Sequence, residues 1–426
     1  LFSYGNIGLM QSILHHEENE RNNKEEIMKL KSLIIGTAAA LSVASMAIAD
    51  RGSDGHVNII YWQAPSILNP YLSGGTKDVE SASMIIEPLA RYNQDGELTA
   101  WLVNEIPTVA NGGVSADLMS ITWNITPGIK WSDGSAFTAH DVVFSGNYCM
   151  DPDGGCAQSN KLADVANIEA LDDLTVKVTF SVAKPFPYGP FVGAEQPIIQ
   201  KAQFADCMGA EAPSCTVENF GPIGTGPFVV TDFKANDVIT MEANPHYRDA
   251  SKPAFASVTF KGGGDAAAAA RSVLETGEFD YAWNLQIDPT ILANMAAVGK
   301  GTVISSFGTA TERLMVNLSN PDPALGDLRS TLEGGPHPFL TDAAVRRALS
   351  VSIDRNLLAE VGYGAAGKAT CNIVPGPAIY VSTANDECLV QDIAKANNIL
   401  EAAGWQRGSD GIRAKDGVRL SILYQT

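Results

Sequence analysis

The chain has little positive charge for its length. Its 426 residues include 29 Lys and Arg against 48 Asp and Glu, which gives a formal net charge of -19 at pH 7. An acidic surface of this size repels the phosphates of nucleic acids and the head groups of anionic lipids. We therefore expect neither nucleic acid nor an anionic membrane surface as a partner.

Long apolar runs are also scarce, and the one that stands out lies near the N-terminus. Residues 33–43 are apolar, Lys29 and Lys31 precede them, and the A-x-A sequence of residues 47–49 follows. A basic stretch, a short apolar core and a small-residue cleavage site are typical of a secretory signal peptide. The alternative, a membrane anchor, requires about 20 apolar residues. We predict that residues 28–49 are a signal peptide.

The signal peptide has consequences for the rest of the chain. Residues 1–27 are polar and lie upstream of Met28, the natural start of a signal peptide, so we expect them not to belong to the native protein. Residues 50–426 contain no further apolar run of spanning length. We expect this part to be soluble, monomeric and periplasmic after cleavage.

The sequence has none of the common catalytic signatures. It contains no G-x-S-x-G, no H-E-x-x-H and no G-x-x-x-x-G-K-[ST] motif. Ser181 and Lys184 match S-x-x-K, but Pro185 follows, and the S-D-N and K-T-G motifs that accompany this pair in β-lactamases are missing. We predict a binding protein and no enzyme, with an exported hydrolase using Ser181 and Lys184 as a remote alternative.

Metal-ligand spacings are equally poor. Asp151 and Asp153 beside a Gly-Gly pair resemble the start of a calcium loop, but the twelfth position is Leu162, where a bidentate Glu is needed. The histidines share no ligand spacing. We predict no metal and no cofactor.

The six cysteines fall into three near pairs along the chain. Six cysteines allow 15 connectivities, but close spacing and an oxidising destination favour sequential pairing. Metal ligation is the alternative, and no C-x2-C spacing supports it. Each small loop should contribute about 2 to 3 kcal/mol to stability. The predicted disulfides are Cys149 with Cys156, Cys207 with Cys215, and Cys371 with Cys388.

The most informative segment is residues 122–145. Residues 122–125 and 129–131 are β-branched and aromatic runs separated by a Pro-Gly pair, so they are interpreted as two strands of a meander. Thr138, with Asp141 three residues later, has the form of a capping box. A helix is therefore predicted directly behind the second strand.

This segment closely resembles the signature of the family 5 extracellular solute-binding proteins, the peptide-, nickel- and opine-binding receptors of ABC importers. The other landmarks of the family follow in the family's order, at residues 224–228, 244–247, 344–355 and 394–405. The resemblance implies an α/β, two-lobed periplasmic binding protein of type II with an extra subdomain inserted in lobe I. It also implies an ABC permease in the inner membrane as partner.

Composition and resemblance together suggest the division of the chain. A hydrophobic content of 45% and a charged content of 18% are those of a globular protein, long enough for about two or three domains. We assign residues 50–95 and 220–308 to lobe I, 96–219 to the inserted subdomain and 309–426 to lobe II. Family members continue further, so lobe II is expected to be incomplete in a C-terminally truncated chain.

Periodicity predicts the other elements. Strands are expected at residues 57–62, 174–180, 279–283, 311–318 and 422–426. Helices are expected at residues 79–89, at 266–276 behind the cap Asp265 and at 342–360. The resemblance implies a further helix at residues 394–405.

The candidate ligand-binding residues come from the resemblance. A receptor for peptides of varying sequence needs backbone donors and acceptors, roomy pockets and aromatic walls. For each aromatic, core packing is the alternative, and Arg313 could bind a ligand carboxylate or form an ion pair between the lobes. The candidates are Trp62, Gln63, Ala64, Pro65, Asn69, Tyr281, Trp283, Asn284, Gln286, Arg313, Asn317, Pro375 and Tyr380.

The resulting hypothesis is a clamp. We expect two lobes to close around a short peptide and to deliver it unchanged to the permease. The acidic residue that clamps a peptide's N-terminal ammonium in the family is expected beyond Thr426. An oligosaccharide is the alternative ligand, for which Trp62 and Trp283 would act as stacking platforms.

Overall fold

The computed structural model describes residues 50–305, 307–376 and 380–424. The predicted signal peptide and the stretch before it lie outside the described residues. The strands are β1 His56–Tyr61, β2 Ala90–Tyr92, β3 Leu98–Ala100, β4 Ser120–Asn124, β5 Val165–Asp172, β6 Thr175–Phe180, β7 Phe228–Lys234, β8 Val238–Ala243, β9 Ser257–Gly262, β10 Tyr281–Trp283, β11 Gln406–Arg407, β12 Arg413–Lys415 and β13 Val418–Arg419. The α-helices are α1 Thr76–Ala82, α2 Ala139–Met150, α3 Lys201–Phe204, α4 Thr216–Phe220, α5 Ala266–Arg271, α6 Pro289–Ala296, α7 Ala343–Ser352, α8 Arg355–Tyr363 and α9 Ile393–Ala402.

A five-stranded mixed sheet in the order β10-β1-β9-β8-β7 forms the main part of the fold. β1 runs parallel to β9 and β10, whereas β7, β8 and β9 pair antiparallel. α5 connects β9 to β10, and a helix between parallel strands is the crossover unit of an α/β fold. The predicted strands at residues 57–62 and 279–283 are confirmed, with small shifts at their ends.

The helix after β9 begins and ends as predicted. The carboxylate of Asp265 accepts a hydrogen bond from the backbone N–H of Ala268 at 2.7 Å, which caps α5. The last turn, Ser272–Thr276, is a π-helix, and Gly277 follows with a φ of 68°. A glycine accepts this left-handed conformation without the cost that a side chain would bring.

The glycine landmark at residues 224–228 fastens the main sheet to the segment after α1. The backbone N–H of Gly226 donates to the carbonyl of Ile85 at 2.8 Å. A side chain on Gly224 would overlap that same carbonyl oxygen, so only glycine fits. The helix predicted over residues 79–89 is shorter and begins earlier, at Thr76–Ala82, and the N–H of Leu89 donates to Phe191 and not to Ile85.

A second, three-stranded antiparallel sheet has the order β4-β6-β5. β4 and β6 match the predicted strands at residues 122–125 and 174–180, but the predicted meander is wrong. β4 pairs with β6, which lies far along the chain, and residues 129–131 form no strand. Two tight turns, at Gly128 and Gly134, leave room for only one bridge, between Lys130 and Ala136. The apolar residues of this run pack into the core instead.

The predicted capping box at the start of α2 is confirmed. The carboxylate of Asp141 accepts a hydrogen bond from the backbone N–H of Thr138 at 2.9 Å. It also accepts one from the backbone N–H of Lys201, the first residue of α3, at 3.0 Å. One carboxylate therefore both begins α2 and ties it to α3.

The three predicted disulfides are confirmed with the sequential pairing. Cys149 bonds to Cys156, Cys207 to Cys215, and Cys371 to Cys388. No cysteine of the chain is free. Each bond closes a short loop within one stretch of the chain.

The predicted helix at residues 342–360 is two helices, α7 and α8. Ile353 has an extended backbone between them, and Asp354 caps α8 by accepting a hydrogen bond from the N–H of Leu357 at 3.0 Å. The apolar residues at four-residue steps continue across this break, which is why periodicity indicated one helix. The predicted helix at residues 394–405 is confirmed as α9.

Two strands predicted in residues 309–426 are wrong. Residues 311–318 form no strand, and Leu314 and Met315 are 56% and 80% exposed, because no described strand pairs with this segment. Residues 422–424 form no strand either, and 425–426 lie outside the described residues. The apolar core here is small and has two clusters, one of Phe339, Leu340, Val345 and Trp405 and one of Ala348, Val351 and Ala396. The boundaries assigned to the lobes stay predictions.

None of the helices in the described ranges combines the length and the apolar character that crossing a bilayer would require.

Candidate functional site

The carboxyl ends of three strands meet at one edge of the main sheet. Tyr61 at the end of β1 lies opposite Gly262 of β9 on one side and Trp283 of β10 on the other. In open α/β sheets, ligands bind in the crevice beyond the carboxyl ends of parallel strands. The predicted residues Trp62 and Asn284 follow directly on two of these ends. The fold therefore brings the candidates after β1 and the candidates on and after β10 together at one edge of the sheet.

An aromatic face lies beside these strand ends. The register places Tyr281 opposite Ile59 and Trp283 opposite Tyr61, so all four side chains share one face of the sheet. The Tyr61 ring stacks on Trp283, with centroids 4.9 Å apart and planes inclined by 26°. Tyr281 is 49% exposed, and Trp283 is half-buried. The two predicted aromatic residues of β10 therefore differ: Trp283 packs on the core, and Tyr281 is open to solvent.

One carboxylate lies against this aromatic face. Glu80, on helix α1, accepts a hydrogen bond from the hydroxyl of Tyr61. Burial, followed by this hydrogen bond, raises the pKa of Tyr61, and burial together with the charge of Glu80 raises the pKa of Tyr281. The carboxylate is hydrogen-bonded to the hydroxyl of Tyr61, and its charge acts on Tyr281 as well.

Tyr61 and Glu80 were both missed from the sequence. Two-residue alternation along the predicted strand could have placed Tyr61 on the face of Ile59. No local pattern could have brought Glu80 there, because it reaches the sheet only through the packing of α1.

The loop after β1 has a fixed base. A side chain on Gly262 would overlap Ala64, and the N–H of Asn236 donates to the carbonyl of Pro65 at 2.8 Å. Pro65 is buried and Ala64 half-buried, whereas Gln63 is exposed and Trp62 half-buried. Trp62 and Gln63 are therefore the residues of this loop that a ligand can reach.

Asp78 fastens the next part of this loop to α1. Its buried carboxylate accepts hydrogen bonds from the N–H of Ser66 at 2.6 Å, the hydroxyl of Ser73 at 2.7 Å and the ammonium of Lys77 at 2.9 Å. Burial by itself would raise the pKa of Asp78, but these bonds outweigh it and lower the pKa below its ordinary value. The carboxylate is thus charged in the folded protein and holds the loop in place.

Asn69 has a structural position. It is fully buried, and its amide nitrogen donates to the hydroxyl of Tyr148 at 3.1 Å and to Asn219 at 2.8 Å. Its amide oxygen accepts from the N–H of Tyr71 at 3.1 Å. Because these groups are occupied within the core, we leave Asn69 out of the proposed contact set.

Asn284 and Gln286 follow the end of β10. Asn284 has a φ of 57°, a left-handed conformation that turns the chain away from the strand. The N–H of Gln286 donates to the carbonyl of Asn284 at 2.9 Å, and Gln286 is exposed. Both stay predicted contacts, on a turn at the same edge as Trp283.

The remaining candidates lie in irregular segments. Arg313 and Asn317 are exposed, and the amide oxygen of Asn317 accepts hydrogen bonds from the N–H and the hydroxyl of Ser319, both at 2.9 Å. Pro375 is half-buried and Tyr380 is 61% exposed. Burial, with a smaller contribution from the hydroxyl of Tyr380, raises the pKa of Tyr92 in β2.

The alternative catalytic pair is not arranged for catalysis. The hydroxyl of Ser181 donates to the carbonyl of Asp164 at 3.2 Å, and Lys184 forms an ion pair with the Asp164 carboxylate at 2.6 Å. A nucleophilic Ser needs a base within hydrogen-bond reach, and here Lys184 is held by a carboxylate. Within the described ranges, the one group that could geometrically hold a metal is Cys207, Cys215 and Glu218, whose two sulfurs are joined in a disulfide.

Comparison with known proteins agrees with the geometry. Residues 101–426 match the family described as bacterial extracellular solute-binding proteins, family 5, middle. Protein XP55 of Streptomyces lividans is 28% identical over 391 residues, which cover 91% of this chain and 65% of that protein. The glutathione-binding protein GsiB of Pectobacterium atrosepticum is 24% identical over 341 residues, covering 80% of this chain and 60% of that protein. The chain thus spans less than two thirds of the length of these relatives.

A solved structure shows the same fold. The oligopeptide-binding protein AppA of Bacillus subtilis, in complex with a nonapeptide, superimposes with a TM-score of 0.58 at 19% identity. The superposition covers 87% of this chain and 68% of AppA. The architecture is therefore the mixed α/β fold of the two-lobed periplasmic binding proteins. The family match extends over residues 101–426, which is well above half of the chain. The chain therefore belongs to the bacterial extracellular solute-binding proteins of family 5.

Proposed function

We propose that this protein is the periplasmic binding component of an ABC importer, which captures short peptides between two lobes and delivers them to a membrane permease. The family match over residues 101–426 is the observation that carries the proposal. In this function the ligand is bound and released, and no bond in it is made or broken.

The sheet edge supports a peptide as ligand. β10 is the last strand of the main sheet, so one side of its backbone is unpaired in the described sheet. An extended peptide can pair with such an edge through main-chain hydrogen bonds, which do not depend on the peptide's sequence. Tyr281 on this edge strand, and Trp62 just after the neighbouring strand β1, offer aromatic surface to side chains of different shapes.

The relatives support the same ligand class. GsiB is named for glutathione, itself a small peptide, and AppA was solved with a nonapeptide. These two similarities and the unpaired edge of β10 support peptide binding as the proposed function of this chain.

Closure of the two lobes is the proposed mechanism. A ligand that contacts both lobes stabilises the closed state by its difference in affinity for the closed and open states. Trp62 and Tyr281 would contact the ligand from lobe I, and Arg313 and Tyr380 from lobe II. The closed form would then dock on the permease.

Native mass spectrometry of the full-length exported protein tests the proposal. We expect co-purified masses that fit short peptides, and an increase of the melting temperature when tripeptides or tetrapeptides are added to the stripped protein. A spectrum without such masses, together with no thermal shift from any peptide, would contradict peptide binding.

The oligosaccharide alternative gives a different result in the same assay. Sugars would then shift the melting temperature, and replacement of both Trp62 and Trp283 by Ala would abolish that shift. Trp283 already stacks one ring face on Tyr61, so only its other face is free for a sugar.

A further inference from the structure

We propose that Glu80, held by the hydroxyl of the buried Tyr61, and the rings of Tyr281 and Trp283 form a subsite for a cationic side chain of the ligand. The group bound there would be the ammonium of a Lys or the guanidinium of an Arg. This inference rests on the proposed peptide-binding function and adds a substrate preference to it.

The position of Glu80 carries the inference. Its carboxylate lies at the hydroxyl of Tyr61, whose ring stacks on Trp283 at 4.9 Å. Tyr281 shares this face and is 49% exposed. Tyr61 is buried between Phe260 and Trp283 and so only positions the carboxylate, and the surface open to a ligand is that of Tyr281 together with the half-buried Glu80 and Trp283.

Glu80 has no cationic partner among the described residues. The described salt bridges do not include it, and the nearest lysine along the helix, Lys77, is bound to Asp78 and to the hydroxyl of Ser66. A half-buried carboxylate without a counter-ion is unfavourable in a low-dielectric environment. A ligand cation would supply the missing charge.

The aromatic rings favour the same ligand. A cation over the face of a Tyr or Trp ring is attracted by the negative potential of that face. The long methylene stem of Lys or Arg can pack along the ring while its head group reaches the carboxylate. The net charge of -19 attracts cationic peptides over longer distances as well.

A purely structural role for Glu80 is the competing explanation. The hydrogen bond from Tyr61 alone could serve to fasten α1 to the sheet. Glu80→Gln separates the two roles, because the amide oxygen still accepts this bond whereas the negative charge is lost.

The test compares trilysine with trinorleucine, which share the side-chain stem and differ in the ammonium group. Isothermal titration of the full chain should give a dissociation constant for trilysine at least about tenfold lower than for trinorleucine. Glu80→Gln should remove this preference, so that trilysine and trinorleucine bind with similar dissociation constants. Glu80→Asp, which keeps the charge, should retain most of the preference and also serves if the Gln variant folds poorly.

The control is Glu169→Gln, which removes the same charge from an exposed position on β5. It should leave the preference for trilysine intact. The measurements should be repeated in about 0.5 M salt, where long-range electrostatic attraction is screened. Equal binding of both peptides by the wild type, or a preference that survives Glu80→Gln, overturns the subsite while peptide binding stands. Binding of neither peptide overturns the subsite, and the proposed function falls with it if no other peptide shifts the melting temperature.

Discussion

At the scale of single residues, close contacts between backbone segments explain several of the family's landmarks. Gly224 lies against the carbonyl oxygen of Ile85, where any side chain would overlap it. This contact joins the start of β7, the strand at the other side of the main sheet from β10, to the segment after α1. The glycine is therefore required by packing and not by turn conformation.

Replacement of this glycine should destabilise the protein. Gly224→Ala would force the Ile85 segment to move, and we expect the free energy of unfolding to fall by about 1 to 3 kcal/mol. Urea denaturation followed by circular dichroism measures the change. Gly74→Ala is the matched control, because a Cβ at Gly74 meets no atom within 4 Å. Equal midpoints for both variants would contradict the packing argument.

Asp78 provides a second prediction, on pH dependence. Its pKa is lowered in the folded protein from an ordinary value of 3.8, so its stabilisation is fully present above that pH and is lost as the pH falls through the lower, folded value. Asp78→Asn should therefore reduce the free energy of unfolding by about 1 to 3 kcal/mol at pH 7. The difference from the wild type should shrink below pH 3.8.

Urea denaturation at neutral and acidic pH gives this comparison. The exposed Asp153 offers the control Asp153→Asn, whose effect should stay within about 0.5 kcal/mol. A difference between wild type and Asp78→Asn that is constant at every pH would mean that the charge of Asp78 contributes nothing.

At the scale of elements, the side chains that cap helix starts differ in whether they also bind another part of the structure. Asp288 caps α6 by accepting from the N–H groups of Thr290 and Ile291, and it makes no described bond outside that helix. Asp141 caps α2 and in addition accepts from the N–H of Lys201. The second cap thus belongs to the tertiary structure as well.

These two caps should respond differently to removal. Asp288→Ala should reduce the free energy of unfolding by about 1 kcal/mol, the usual value of an N-cap. Asp141→Ala also leaves the N–H of Lys201 without its acceptor, which should lower the free energy of unfolding by about 1 to 3 kcal/mol more. Thermal and urea denaturation of both variants check the order. The interpretation fails if Asp288→Ala is the more damaging.

Elements also show what the sequence could predict. β1, α5 and the start of α2 were predicted because alternation, caps and a terminal glycine are local signals. Residues 129–131 and 311–318 had the composition of strands, but strand formation requires a partner, and partners lie far along the chain. The break at Asp354 was hidden because the apolar period continues through it.

The candidate site follows the same division. Trp62, Tyr281 and Trp283 could be named in advance because they end predicted strands. Glu80 could not, since its position depends on how α1 packs on the sheet. Asn69 was named from its loop, but the fold turns it inward to Tyr148 and Asn219.

At the scale of the whole molecule, the apolar core is distributed unevenly. The large core lies within residues 57–260, whereas the cluster around Phe339 and Trp405 has four buried members. Local opening has a lower free energy where few apolar side chains are buried. Residues 311–318 should therefore be among the least protected of the described residues.

Hydrogen exchange measured by mass spectrometry tests this, with and without peptide. We expect fast exchange in residues 311–318 and slow exchange in β4 and β6. Under the clamp mechanism, added trialanine or another bound tripeptide should slow exchange at residues 62–65 and at 313–317 together. Protection confined to one of these two segments would contradict binding between two lobes.

The disulfides have a consequence for motion. Their partners are 7, 8 and 17 residues apart, and together they use every cysteine of the chain. No covalent cross-link therefore joins the sequence before residue 308 to the sequence after it. Disulfide formation therefore constrains individual loops. It does not restrict motion about a hinge between the two halves.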